Sequence, residues 1–113
     1  MTEVMFYKDG NNIVKVTCSG HTGYADYGSD IVCSALSSIV QSTALGLTQV
    51  VGVHLTIERN DKKGKYCMEL PNNIGVEAMA KCQILLSTLL LSVKDLAEGY
   101  SEFIKLEERD YVN

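Results

Sequence analysis

A histidine and a cysteine stand twelve residues apart in the stretch HTGYADYGSDIVCS, which runs from His21 to Ser34. Cys33 lies where a glycine-rich polar segment gives way to an apolar periodic one, so we expect it in the first turn of a helix. The unpaired backbone N–H groups of a helix N-terminus favour a thiolate and could donate to a developing oxyanion. His21 could then act as the general base of a Cys–His pair.

Residue types and spacing leave other interpretations of this stretch open. A free cysteine is usually a small buried apolar residue, and a lone histidine is usually structural. A zinc site is a second interpretation, because Cys18, His21 and Cys33 supply three ligands, although a closed site needs a fourth. A phosphate loop is a third and weaker one, because the glycines of 20–28 form neither GxxxxGK[ST] nor GxGxxG.

Two polar residues flank the cysteine on the predicted helix. Asp30 either orients His21 as a third catalytic residue or, as we favour, caps the helix, a position that Ser29 could also take. Ser37 follows Cys33 by four residues and therefore shares its helix face. The Ser37 hydroxyl could donate to the site or back to the Cys33 carbonyl, and the pattern does not separate these roles.

The segment 20–29 is predicted to be a loop that moves. Gly20 and Gly28 are suited to hinges, and Tyr24 and Tyr27 either line the path of a substrate or cover the site when the loop closes. A peptide needs an extended cleft, of which a helix end forms one wall. This loop is expected to be the only segment near Cys33 long enough to form the other wall.

The motif as a whole resembles that of the ribosomal-processing cysteine protease family. That family has a Gly-His pair, a glycine-containing loop, Gly-x-Asp-Ile-Val-Cys-Ala, and a serine four residues after the cysteine. This chain has Gly20-His21, then GSDIVC at 28–33, then Ser37. Thr22 and Ser34 replace two alanines of the family pattern, which leaves the chemistry in place. The length and the element order fit over the whole chain.

The resemblance implies a homodimeric protease that removes the N-terminal extension of a bacterial large-subunit ribosomal protein by cutting after an aromatic residue. No cofactor is expected. By the same resemblance Cys33 is the nucleophile and His21 the base, while Asp30 and Ser37 match motif positions of less defined role. The alternative is a non-catalytic ribosome-associated module that holds a peptide in the same groove or assists assembly.

Composition and charge limit the partners. The 113 residues suit one domain, 1–113, and the net charge of −4 argues against direct nucleic-acid binding. Four basic residues cluster at a predicted hairpin tip, which we interpret as solvated rather than as a binding patch: Arg59, Lys62, Lys63 and Lys65.

The most apolar stretch, 84–93, is about half of the ~20 residues that a membrane span needs. We therefore expect no membrane association, a cytoplasmic protein and reduced cysteines.

The elements that must position the site follow from periodicity. Strands are predicted at 3–8, 13–19, 53–58, 65–70 and 101–108, and helices at 30–50 and 74–97. The fold class is α+β, a single domain of order ββαββαβ with a mainly antiparallel sheet packed with two helices.

The segment ILLSTLLLSV is apolar around much of the second helix, which predicts that a partner subunit covers Leu85 and Leu89. Cys18, Cys67, Cys82 and His54 are interpreted as structural.

Overall fold

The computed structural model describes residues 1–20 and 27–112, with the backbone alone for 27–30. This part of the chain has the predicted order ββαββαβ. The elements are β1 (Thr2–Asp9), β2 (Asn12–Ser19), α1 (Tyr27–Leu45), β3 (Thr56–Asn60), β4 (Lys65–Glu69), α2 (Val76–Gly99) and β5 (Ile104–Asp110). A π-helical segment, Gly46–Val51, continues α1. The α+β class is confirmed.

The strands form one mixed sheet in the order β3-β4-β2-β1-β5. The pairs β1–β2, β2–β4 and β3–β4 are antiparallel, as the two predicted hairpins require. The first and last strands, β1 and β5, pair in parallel. Parallel neighbours need a crossover connection, and α2 supplies it before the chain enters β5.

Alternation along the strands places one apolar row beneath the helices. Phe6, Val16 and Met68 stand opposite one another across β1, β2 and β4, and all three are buried. Leu36 and Val40 of α1 belong to the same core. Side chains of the opposite sheet face, such as Met5 and Tyr7, are only half-buried.

Most of the apolar surface of α2 packs against other parts of the same chain. Leu89 is 2% exposed and belongs to the core, so the prediction that a partner subunit covers it is wrong. Leu85 is half-buried and packs beside Gly46, where an added Cβ would approach its Cδ1 to 3.1 Å. The sheet and α1 therefore provide most of the cover. Ile84 and Leu91 remain 68% and 66% exposed.

By length and composition alone, two helical stretches, Ile31–Val51 and Val76–Gly99, could cross a membrane. The most apolar stretch named from the sequence, 84–93, is thus only part of the second of these helices. Core helices of globular domains meet the same criterion, and both stretches contribute buried residues to the core against the sheet. Their apolar character is therefore weak evidence for a membrane span.

Candidate active site

Cys33 is half-buried on the face of α1 that meets the sheet where β2 ends and β4 begins. A cavity of about 270 Å³ lies beside it. Its lining comes from α1, from the strands β1, β2, β3 and β4, and from the β3–β4 turn. The cavity thus lies between two segments that are far apart in sequence: helix α1, which carries Cys33, and the β3–β4 hairpin.

The α1 wall of the cavity is a stripe of residues spaced by four. Cys33, Ser37 and Gln41 all line it, which is the geometry expected of positions i, i+4 and i+8 on a helix. The prediction that Ser37 shares the face of Cys33 is therefore confirmed. The role of its exposed hydroxyl in the reaction stays a prediction.

The opposite wall of the cavity is set by strand register. Cys18 of β2 stands opposite Tyr66 of β4, and Tyr66 stands opposite Arg59 of β3. These three neighbouring residues line the cavity from the helix-covered side of the sheet. Because register fixes the row, three strands present a continuous surface to Cys33.

The basic hairpin tip has a place at the site. Arg59 and Lys65 are exposed, as expected for a solvated tip, and they also border the cavity together with Asp61. Arg59 Nη2 and Asp61 Oδ1 are 3.4 Å apart, an exposed ion pair. The expectation that only segment 20–29 could form a second wall is therefore wrong, because the β3–β4 hairpin and the ends of β2 and β4 form one.

Thr2 contacts the cysteine from the start of β1. Its side-chain oxygen lies 3.9 Å from Cys33 Sγ and 3.3 Å from the carbonyl oxygen of Gly20, to which the hydroxyl donates. Gly20 has a φ of 97°, and a Cβ there would lie 2.6 Å from the Met1 carbonyl oxygen. A side chain at residue 20 is excluded by both conformation and space.

The other three cysteines are less suited to be nucleophiles. Burial, with a smaller contribution from Cys67, raises the pKa of Cys18 to about 12, so this thiol stays neutral at physiological pH. Burial is also the main cause that raises the pKa values of Cys67 and Cys82. All four cysteines are free thiols. These environments favour the interpretation of Cys18, Cys67 and Cys82 as structural.

The start of α1 differs from the expectation. Because the helix begins at Tyr27, Ser29 and Asp30 lie within it, and the prediction that either is its N-cap is wrong. Tyr27 and Gly28 likewise belong to the first turn rather than to a loop. Acidic residues are favoured in the first turn as well as at the cap, so Asp30 fits either position.

This start also shifts the cysteine along the helix. Cys33 lies in the second turn of α1 rather than the first. The N–H groups without partners within a helix are those of its first four residues, and the Cys33 N–H lies beyond them. The prediction that the free helix end surrounds Cys33 with oxyanion donors is therefore wrong.

Several predicted site residues fall outside the described residues. These are His21 and Tyr24, together with the side chains of Tyr27 and Asp30. The Cys–His pair, the triad role of Asp30, the lid and the zinc alternative therefore stay predictions. Gly20, which immediately precedes His21, lines the cavity of Cys33.

Sequence reasoning missed most of the cavity lining, including Thr2, Gln41 and Tyr66. Gln41 could have been found by extending the spacing of four that links Cys33 to Ser37. Tyr66 could have been found from the alternation of β4, once β4 was paired with β2. Thr2 carries no local signal, since it is 31 residues from Cys33 and only the sheet brings it there.

The chain is similar to a known family over most of its length. A family model described as "Cysteine protease Prp" matches residues 1–105. The ribosomal processing cysteine protease Prp of Mycoplasma pneumoniae is 30% identical over 95 residues, covering 84% of this chain and 87% of the relative. The protein of that name from Bacillus subtilis is 21% identical over 94 residues, covering 83% and 84%.

Solved structures share the fold. SMU.848 from Streptococcus mutans superposes with a TM-score of 0.86 at 25% identity, covering 98% of this chain and 96% of that one. The essential ribosomal processing protease Prp from S. aureus, in complex with a substrate peptide, superposes with a TM-score of 0.84 at 23% identity, covering 96% and 99%. At 23% identity, the likeness to the S. aureus structure shows a shared fold only.

Proposed function

Because the chain belongs to the family of the cysteine protease Prp, we propose that it removes the N-terminal extension of a bacterial large-subunit ribosomal protein and so serves ribosome assembly. The enzyme is a cysteine protease, and its curated relatives are named for ribosomal processing. These relatives favour the protease over a non-catalytic module that would only hold a peptide in the same groove.

The observation that carries this proposal is a thiol that opens on a two-walled cavity. About 270 Å³ is just below the roughly 300–1,000 Å³ of typical small-ligand pockets, so the space suits one side chain of an extended peptide. Leu36, Val40 and Tyr66 give the lining apolar surface. An aromatic side chain just before the cleaved bond fits that surface.

The proposed reaction proceeds through an acyl-enzyme. Cys33 gives its proton to His21, and the sulfur attacks the carbonyl carbon of the scissile bond to form a tetrahedral oxyanion. The oxyanion collapses, the C–N bond breaks, and the leaving amine takes the proton from His21. Water, deprotonated by His21, then hydrolyses the thioester and restores the thiol.

The test is incubation with the ribosomal-protein precursor of the same organism, followed by intact mass spectrometry. We expect one cut after an aromatic residue near the precursor N-terminus. A precursor with alanine at that residue should be processed at least tenfold more slowly. If the precursor stays uncut while a generic peptide library is cleaved, the chain is still a protease but the proposed substrate is wrong.

We propose further that the enzyme is a homodimer that uses the outer face of α2. Ile84 and Leu91 are seven residues apart, so they lie on one face, and both are well exposed in the single chain. Light scattering at micromolar concentration should give twice the 12.4 kDa chain mass. Ile84→Asp with Leu91→Asp should give the monomer, whereas Lys63→Asp, in the exposed β3–β4 turn, should not. A monomeric parent protein would contradict this proposal.

The proposed substrate places the enzyme in the cytoplasm, where ribosomal proteins are made. The four free thiols are compatible with that reducing compartment. Fractionation of cells that carry a tagged enzyme should recover it with the soluble fraction. Recovery with the membrane fraction would contradict the proposed location.

A further inference from the structure

Thr2 places one hydroxyl between the nucleophile and the segment that carries the predicted base. Its side-chain oxygen is 3.9 Å from Cys33 Sγ, a distance at which sulfur can still share a hydrogen, and 3.3 Å from the Gly20 carbonyl oxygen. The residue is 8% exposed. That carbonyl belongs to the peptide bond that leads directly into His21.

The position of this hydroxyl is set by rigid structure. The Thr2 backbone N–H donates to the Phe103 carbonyl at 2.8 Å, and Thr2 pairs with Ile104 of β5. On the other side, Glu3 pairs with Ser19 of β2. Two neighbouring strands thus hold the start of β1, and the side chain of Thr2 is brought to Cys33 without help from a loop.

A hydroxyl has one proton to donate, and this limits what Thr2 can do at one time. While Cys33 is a thiol, Thr2 donates to the Gly20 carbonyl and accepts the S–H. Once the proton has left for the base, the sulfur can only accept. A hydrogen bond between Thr2 and the thiolate then requires the hydroxyl to turn to the sulfur, which releases the Gly20 carbonyl.

We propose that Thr2 is a positioning residue of the protease reaction. Its hydroxyl donates to the Cys33 thiolate and couples the charge on sulfur to the peptide that joins Gly20 to His21. The consequence for proteolysis rests on the proposed function, but the effect on the thiol does not. A merely structural Thr2 would satisfy its own buried hydroxyl and leave the reactivity of Cys33 unchanged.

The experiment compares Thr2→Val, which replaces the hydroxyl by a methyl of similar size, with Thr2→Ser, which keeps it. Thr2→Ala is a second variant without a hydroxyl, in case valine impairs folding, and melting curves identify the folded variants. Thr17→Val is the matched control, since Thr17 pairs with Met5 on the other face of the sheet. Two readouts are measured: alkylation of Cys33 by iodoacetamide against pH, and kcat and KM with the precursor.

For the variants without a hydroxyl we expect the midpoint of the alkylation profile to rise by about one pH unit, since the thiolate loses a hydrogen bond. We expect kcat to fall by roughly tenfold or more and KM to change less than twofold. Thr2→Ser should restore both. Among the described residues, the other titratable or charged groups that border the cavity are identical in all variants: Cys18, Arg59, Asp61, Lys65 and Tyr66.

Alkylation profiles that match the parent protein in Thr2→Val and Thr2→Ala would overturn the inference. A folded Thr2→Ser that behaves like Thr2→Val would also overturn it, because the hydroxyl would then not be the active group. The alkylation readout needs no ribosomal protein. A shifted profile in an enzyme that leaves the precursor uncut would therefore support the inference and contradict the proposed substrate.

Discussion

Two cysteines line one cavity from opposite walls, and their surroundings differ. Cys33 comes from α1 and lies within reach of the Thr2 hydroxyl. Cys18 comes from β2 and packs against the core, where burial raises its pKa to about 12. The same functional group is therefore available for chemistry on the helix wall and kept as a neutral thiol on the sheet wall.

The difference extends to the neighbours of the two cysteines. Ser37 and Gln41 continue the helix wall with polar side chains, whereas the sheet wall continues from Cys18 to Tyr66 in a row fixed by register. From this division we propose that the reaction takes place on α1 and that the strands bind the substrate. Each wall can then be changed separately.

The largest effect should separate the two cysteines. Cys33→Ala should abolish processing, because it removes the proposed nucleophile, which would act together with its base. Cys18→Ala should keep kcat within about threefold, since a neutral thiol in the wall takes no part in the bond changes. Precursor processing followed by mass spectrometry measures both. Wild-type processing by Cys33→Ala would contradict the division between the walls.

The next effect concerns His21, the predicted base. His21→Ala should lower kcat by ~10²–10⁴-fold, the usual contribution of a positioned general base, with substrate binding largely kept. His54→Ala is the matched control, because His54 is the other histidine of the chain and is exposed before β3. Single-turnover kinetics should show the loss in the chemical step. A change of less than threefold in His21→Ala would mean that another group is the base.

A smaller effect is expected on the sheet wall. Tyr66→Ala removes an apolar surface that meets substrate and transition state alike, so KM should rise by roughly tenfold while kcat changes little. Tyr7→Ala is the control, because Tyr7 faces the opposite side of the sheet. Steady-state kinetics on the folded fraction distinguishes the two. A fall in kcat with unchanged KM would place Tyr66 in the chemistry and remove the proposed division.

The smallest effect is one of stability at alkaline pH. Cys18 has its pKa raised from 9.0 to about 12 on folding, so the folded protein holds this proton more tightly than the unfolded chain. The stabilisation is fully present below pH 9 and is lost as pH rises from 9 towards 12. Cys18→Ala should lose stability less steeply over that range in urea titrations. Equal slopes would contradict the raised pKa of Cys18.

The strands and helices could be predicted because their signals are local. Alternation in 13–19 and the spacing of three and four from Val32 to Val50 identify β2 and α1 without knowledge of the rest of the fold. The start of α1 could not be placed in this way. Glycine disfavours a helix and Asp30 resembles a cap, yet the helix begins at Tyr27.

Cys33 could be singled out from its motif and lies at the cavity, while its role as nucleophile stays a prediction. Most of the cavity could not be predicted. The sheet wall depends on β2, β4 and β3 being neighbours in a given register, which no short stretch of sequence states. The prediction that a partner subunit covers Leu89 of α2 was wrong for the same reason. Its all-round apolar surface indicates burial but does not say whether the cover is α1, the sheet or a second subunit.

The pairing of β1 with β5 has a consequence for biosynthesis. Residues 2 and 104 are neighbours in the sheet, so the start of β1 has one partner strand missing until the last strand emerges from the ribosome. Such a distant contact is also among the slowest to form. The contacts of Thr2 with Phe103 and Ile104, which help to hold it beside Cys33, form only after that step. A nascent chain that already displays the whole cysteine motif should therefore be less active than the complete protein, and full proteolytic activity should begin only when residues 104–110 have joined the sheet.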